Sequence, residues 1–295
     1  MRIYTPNTSR QAIGGGWTFL RNLQYGLQDR CYFVNNWKDC DIVLIMGVTV
    51  VDFEELKQAK QAGKKIVLRV DNVPRKSRNR GLRPNPHERL KLIAEQYADV
   101  VVYQSEWAKM YCYPLCGEGT IIYNGVDEEL FKGPAENRNE NRYLYVYHSR
   151  GNELKQFWLA HYYFQMIHRQ NPEAEFWIVN NFGNETADLL QGNLDFWNGE
   201  KWKYLGTIDN APEMADIMAQ CKYLIFPSTV DASPNTVLEA RACGMEVIHT
   251  APSDVSGTNE LLNPELDISL ERMCDEYYSL FKLLSTENED SGLAV

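Results

Sequence analysis

The chain has 295 residues, 44% hydrophobic and 12% aromatic, with a formal net charge of −10. That is enough for two domains of about 100–200 residues each, and the composition suits sizeable apolar cores. The acidic balance argues against a nucleic-acid binder, and no apolar run approaches the roughly 18 residues that span a bilayer.

The first residues, Met1-Arg-Ile-Tyr-Thr-Pro, open on a strand-like segment with no signal-peptide apolar stretch, so a cytoplasmic location is expected. Seven cysteines, odd in number and scattered, point to free thiols. Cys112 and Cys116 have no second cysteine or histidine pair at zinc-ligand spacing, so no metal is expected. Charge is uneven: residues 1–130 hold 18 lysines and arginines against 15 acids, and the rest hold 12 against 25. The basic excess clusters at Arg69, Arg75, Lys76, Arg78, Arg80, Arg83, Arg89 and Lys91. It reads either as a solvated loop and helix face, or as a surface for an anionic acceptor or a peripheral membrane contact.

Residues 2–5 read as a strand, and a glycine run from Gly14 through Gly15 and Gly16 opens a helix. Such a turn lets backbone approach a phosphate or sugar, though a plain flexible turn has the same sequence. It lacks the spacing of a dinucleotide fingerprint. Strands are expected at 31–34, 41–46, 65–70, 100–105 and from 121, with helices at 53–62, 87–97 and 106–111. Asp71 follows the strand at 65–70 and either lines a cleft or caps the loop. Residues 132–142, rich in Pro, Asn and Glu, read as a linker. The pattern then restarts with strands at 143–147, 175–179 and 203–208, a helix at 211–220 and a terminal helix at 270–285. Alternating strands and helices predict an α/β chain of two doubly wound, Rossmann-like parallel-sheet domains, at 1–131 and 143–285, with a frayed tail at 286–295.

The most informative stretch is 223–248. An apolar strand, 223–226, stops at Pro227; a polar loop carries Asp231; a helix from Asn235 to about 243 ends at Gly244; and 246–248 starts another strand. Ser233 is expected to cap the helix, with Pro234 at its first position. The backbone N–H groups of Asn235, Thr236 and Val237 would then form an anion site, with Asp231 on one side and Glu239 on the other. An ordinary βαβ unit with a capped helix and two solvated acids has the same spacing.

The run from Asp231 through Ala-Ser-Pro-Asn-Thr-Val-Leu to Glu239-Ala resembles the acidic-x7-Glu signature of retaining glycosyltransferases of family 4, with Asp where Glu is usual. Leu238-Glu-Ala-Arg-Ala-Cys-Gly-Met-Glu-Val-Ile248 resembles the segment that follows it. Tyr103-Gln-Ser-Glu-Trp, Ile122-Tyr-Asn-Gly-Val-Asp127 and Val255-Ser-Gly-Thr-Asn-Glu260 extend the likeness. The resemblance implies the two-domain B-type (GT-B) fold, with a trimmed first domain. It implies metal-independent transfer of a hexosyl group, with retention, from a UDP- or GDP-sugar to a hydroxyl of a glycan, lipid-linked or other acceptor, with no further cofactor.

By the same resemblance, Arg150 and Lys155 bind the donor diphosphate, Glu239 the ribose and Asp231 the donor sugar, while Gly15 and Gly16 face the donor phosphate. Asp71 takes the place of the family's usual cleft histidine, in an Arg-Val-Asp pattern like that of a subgroup, and His148 is a second cleft candidate. A nucleotide-sugar epimerase of this fold, or a silent sugar-nucleotide-binding module, would carry the same motifs.

Overall fold

The computed structural model describes residues 1–6, 15–46, 48, 51–71, 85–147, 156–180, 201–249 and 256–290. They divide into two compact units, Met1–Gly125 with Asp267–Val295, and Val126–Leu266.

In the first unit, strands β1 (Arg2–Tyr4), β2 (Tyr32–Val34), β3 (Ile42–Ile45), β4 (Lys65–Arg69), β5 (Val100–Tyr103) and β6 (Thr120–Ile121) form one sheet. Its order is β2-β1-β3-β4-β5-β6, and every pairing is parallel. The apolar runs explain this: all four residues of β3 are buried, as a strand covered on both faces requires. Helices α1 (Gly15–Gly26), α2 (Phe53–Gln61), α3 (Pro86–Gln96) and α4 (Glu106–Cys116) connect the strands. Asp52 caps α2, Ser105 caps α4, and Asn85 with Glu88 closes a capping box on α3. Helix α4 outruns its expected end, continuing through Pro114 to Gly117 at φ 69°.

The second unit holds β7 (Asn139–Tyr147), β8 (Glu175–Asn180), β9 (Lys201–Gly206), β10 (Cys221–Phe226) and β11 (Glu246–His249). They pair in parallel in the order β11-β10-β7-β8-β9. A helix not expected from the sequence, α5 (Phe157–Gln170), packs on this sheet. Its aromatics favour strands by propensity. Yet its buried residues, Phe157, Ala160, His161 and Phe164, follow the helical repeat, and Phe164 stacks on Phe176 of β8 at 4.7 Å. Helices α6 (Ala211–Ala219), α7 (Asn235–Ala242) and the short α8 (Thr258–Leu261) complete the unit.

Three expected boundaries change. Residues 132–142 are not a loose linker: β7 already starts at Asn139, and the Ala135 and Asn139 amides donate to Ala219 and Gln220 at 3.0 and 3.3 Å. The terminal helix α9 (Leu270–Asp290) runs beyond 285. It also belongs to the first unit rather than the second. Its stripe of Met273, Cys274, Tyr277, Phe281 and Leu284 is buried with Phe19 and Leu23 of α1 and Leu27 just after it. A Cβ on Gly26 would lie 2.3 Å from Cys274 Sγ, so only glycine allows this approach. Gly26→Ala should therefore cost about 1–3 kcal/mol by overpacking, measured by urea unfolding. A neutral effect would mean that α9 docks elsewhere. Among the described residues, no helix is long and apolar enough to cross a membrane.

Candidate functional site

Both units bring polar side chains to the carboxyl edge of their sheet, where open α/β folds bind ligands. In the first, Arg69 ends β4, Gln104 follows β5 and Asn124 follows β6. The Arg69 guanidinium is 1% exposed and donates to Asp71 Oδ1 at 2.8 Å, Gln104 Oε1 at 2.7 Å and Asn124 Oδ1 at 2.9 Å. It also lies 3.7 Å from the centre of the Phe19 ring. Gln104 Nε2 in turn donates to the carbonyls of Val70 and Asp71, at 2.7 and 2.6 Å. Asp71 is thus held through both side chain and backbone, with its carboxylate 32% exposed. A Cβ on Gly16 would come within 3.0 Å of Asp71 Oδ1, so the second residue of α1 and the end of β4 share one place. Gly15 has open space around it.

The basic cluster does not survive as one surface. Arg69 is consumed by this network. Arg89 is buried too, donating to the carbonyls of Val48 and Val51 at 2.6 and 2.5 Å and lying over Phe53. Lys91 is exposed and pairs with Glu95 at 3.6 Å. Arg75, Lys76, Arg78, Arg80 and Arg83 lie outside the described residues.

In the second unit, Asp231 sits in the loop between β10 and α7. Its carbonyl accepts from the Gly257 amide at 2.8 Å and from Ser256 Oγ at 3.2 Å, and its carboxylate accepts from Ser228 Oγ. The segment just before α8 therefore anchors the acidic loop. Helix α7 starts differently from expectation. Pro234, with φ −74° and ψ 114°, is itself the cap, and no side chain caps the helix by a hydrogen bond. With the proline still extended, helical geometry begins at Asn235, and the Val237 amide donates to the Pro234 carbonyl at 3.0 Å. Val237, fully buried, thus offers its N–H to the chain and not to an anion. Ser233 and Pro234 are buried, while Asn235 and Thr236 keep partial exposure.

Glu239 lies on α7 a little over one turn from its start. The residue keeps part of its surface, but burial pushes its carboxyl up to about 7. Arg150, Lys155 and His148 lie outside the described residues. The structure thus brings Asp71 beside Gly16 in one unit, and in the other places Asp231 in the loop before α7 and Glu239 midway along that helix. Sequence reasoning missed the roles of Gln104, Asn124, Ser228 and Ser256. A signal for the first network was present: Arg69 is a charge directly after the apolar run Ile66-Val-Leu68 and before Val70, which calls for buried partners.

The family model of group 1 glycosyl transferases matches residues 142–275. Over 237 residues the chain is 25% identical to an uncharacterized glycosyltransferase of Methanocaldococcus jannaschii, covering 75% of this chain and 56% of that protein. It therefore spans little more than half the length of that curated relative. A glycosyltransferase involved in avilamycin A biosynthesis superposes with a TM-score of 0.64 at 12% identity, over 97% of this chain and 98% of the other. An alpha-glucosyltransferase in complex with UDP gives 0.55 at 13% identity, over 98% of both chains. At such identities the structural likeness speaks for the fold alone. Residues 142–275 are thus similar to group 1 glycosyl transferases, and the two parallel sheets with their helices have the fold of these glycosyltransferase structures, GT-B.

Proposed function

We propose that the protein is a retaining, metal-independent glycosyltransferase of family 4 type that moves a hexosyl group from a UDP- or GDP-sugar to an acceptor hydroxyl. The observation that carries this reading is the acidic loop residue Asp231 before α7 together with the acid Glu239 on that helix, inside the segment that matches the group 1 model. One of them, Glu239, is desolvated, with its carboxyl raised to about 7. A desolvated acid at a ligand edge costs stability unless a ligand satisfies it. Ribose hydroxyls would donate to Glu239, and the sugar's hydroxyls to Asp231. Negative charge grows on the diphosphate as the glycosidic bond breaks. Arg150 and Lys155, which directly follow β7 in sequence, would stabilise it in place of a divalent cation. Asp71 would meet the acceptor hydroxyl.

Thermal shift with UDP, GDP and ADP tests the donor class, since a ligand at about 100 times its Kd adds about 2.7 kcal/mol. Incubation with labelled UDP- and GDP-hexoses tests the chemistry. Transfer or slow hydrolysis is expected. Epimerised donor, or binding with no turnover, would assign the fold to another use.

Glu239 also gives a pH signature. Its folded value lies above the ordinary 4.5, so between about 4.5 and 7 the native protein holds a proton that the unfolded chain has lost. Stability should therefore fall as pH rises through that window, by about 3 kcal/mol in all. Glu239→Gln should abolish the fall. Urea unfolding at pH 5 and pH 8 reads it directly; identical slopes for parent and variant would show that Glu239 is solvated.

A further inference from the structure

Gln104, the residue after β5, is buried, and its side-chain amide uses every hydrogen-bonding position it has. Oε1 accepts from Arg69 Nη2 at 2.7 Å and from Asn124 Nδ2 at 3.2 Å. Nε2 donates to the carbonyls of Val70 at 2.7 Å and Asp71 at 2.6 Å. An amide has two donors and two acceptor positions, so this one is full. Its orientation is fixed as well, because a guanidinium only donates and a carbonyl only accepts.

The two carbonyls are consecutive. Along a strand, successive carbonyls point to opposite sides, so a single amino group that reaches both shows that the chain has turned between them. The Val70 amide still bonds the Val102 carbonyl at 2.8 Å, continuing the pairing of β4 with β5. Past that point Gln104 takes over from the sheet. It sets the direction in which the chain leaves β4, and with it the place of Asp71. Arg69 Nη1 then holds Oδ1 of the carboxylate at 2.8 Å. Oδ2 has no hydrogen-bond partner among the described residues, and the side chain is partly exposed. A buried cation and a saturated buried amide thus converge on one open carboxylate oxygen. Tying strand ends together needs no such open end.

We infer that Gln104 is a positioning residue for the acceptor: its tether on the Val70 and Asp71 carbonyls sets where Asp71 presents Oδ2 to the acceptor hydroxyl. This rests on the reading of Asp71 as the acceptor's partner and on no residue of the donor site, so the readings can fail separately.

Glycerol, a plain polyol, stands in for the acceptor. Labelled UDP-glucose, GDP-mannose and ADP-glucose are offered as donors, and the ratio of glyceryl hexoside to free hexose is read for the donor that the parent uses. Asp71→Ala should lower that ratio about tenfold, the scale of one hydrogen bond. Gln104→Met removes both halves of the amide. Gln104→Glu keeps an oxygen for Arg69 but has no N–H for the carbonyls. Both should lower the ratio as far as Asp71→Ala does. Combined with Asp71→Ala, neither should lower it further, because Gln104 acts through Asp71; independent effects would multiply. Affinity for the preferred nucleoside diphosphate should stay within about twofold in all variants. Urea unfolding checks each fold, and the methionine variant carries the test where the glutamate variant does not fold. A fall for Asp71→Ala with parent-like ratios in the Gln104 variants overturns the inference and leaves the acceptor reading standing. Losses that multiply in the double variants would make Gln104 a support of the strand ends, which also overturns it. A parent-like ratio for Asp71→Ala, or a parent that forms no glyceryl hexoside, overturns the acceptor reading and the inference with it.

Discussion

Arg69→Met should remove about 3–5 kcal/mol of stability, the range for breaking a buried ion pair at one end. Arg69 is 1% exposed, and three side-chain acceptors depend on its donors. Methionine fills much of the volume but leaves the Gln104 and Asn124 oxygens without the guanidinium, and Asp71 without its counter-ion. It also removes the cation stacked on Phe19. Lysine should not rescue the loss, because one ammonium cannot span the three acceptors that the planar fork reaches. Asp71→Asn should cost far less, since that side chain is about a third exposed and an amide oxygen can still accept. Urea unfolding decides the matter. A loss below about 1 kcal/mol for Arg69→Met would show that the network does not hold the strand ends together.

The second large effect concerns Arg150 and Lys155. Both directly follow β7 in sequence, and the resemblance gives them the donor diphosphate. Their attraction should strengthen as the bond to the sugar breaks, so they should count for more in the transition state than in the bound donor. Arg150→Ala or Lys155→Ala should lower turnover by about 10²–10³, as for a lost oxyanion donor. The nucleoside without phosphates should bind parent and variants alike, while the nucleoside diphosphate binds the variants more weakly. Full turnover in either variant would make that residue a surface charge and withdraw its part in the donor site.

Much of the fold was legible because buried parallel strands are written as short apolar runs. The stretches around 42–45, 65–69 and 221–226 could be little else. Helix α9 was legible as an element but not as a contact. An amphipathic stripe names a face and not its partner, and here the stripe returns to α1, early in the chain. Helix α5 was hidden by aromatics whose intrinsic preference is for strands. For the site, acidic spacing pointed to Asp231 and Glu239; the structure puts the first in the loop before α7 and the second midway along that helix. The detail of the helix start was not legible: proline fixes its own φ but not its ψ, and its extended ψ makes it the cap. Nor was the Arg69 network, whose amide partners lie 35 and 55 residues further on and converge only once the sheet has ordered its strands.

In the proposed donor site the second unit holds a nucleoside diphosphate, with Glu239 on the ribose. Calorimetry of UDP, GDP and ADP with the parent and with Glu239→Ala tests it most directly. At least one of the three should bind the parent, and Glu239→Ala should weaken it by about 1.5–3 kcal/mol, the range for a hydrogen bond to a charged group. Unchanged affinity in a folded Glu239→Ala variant, or no binding of any of the three by the parent, would contradict it.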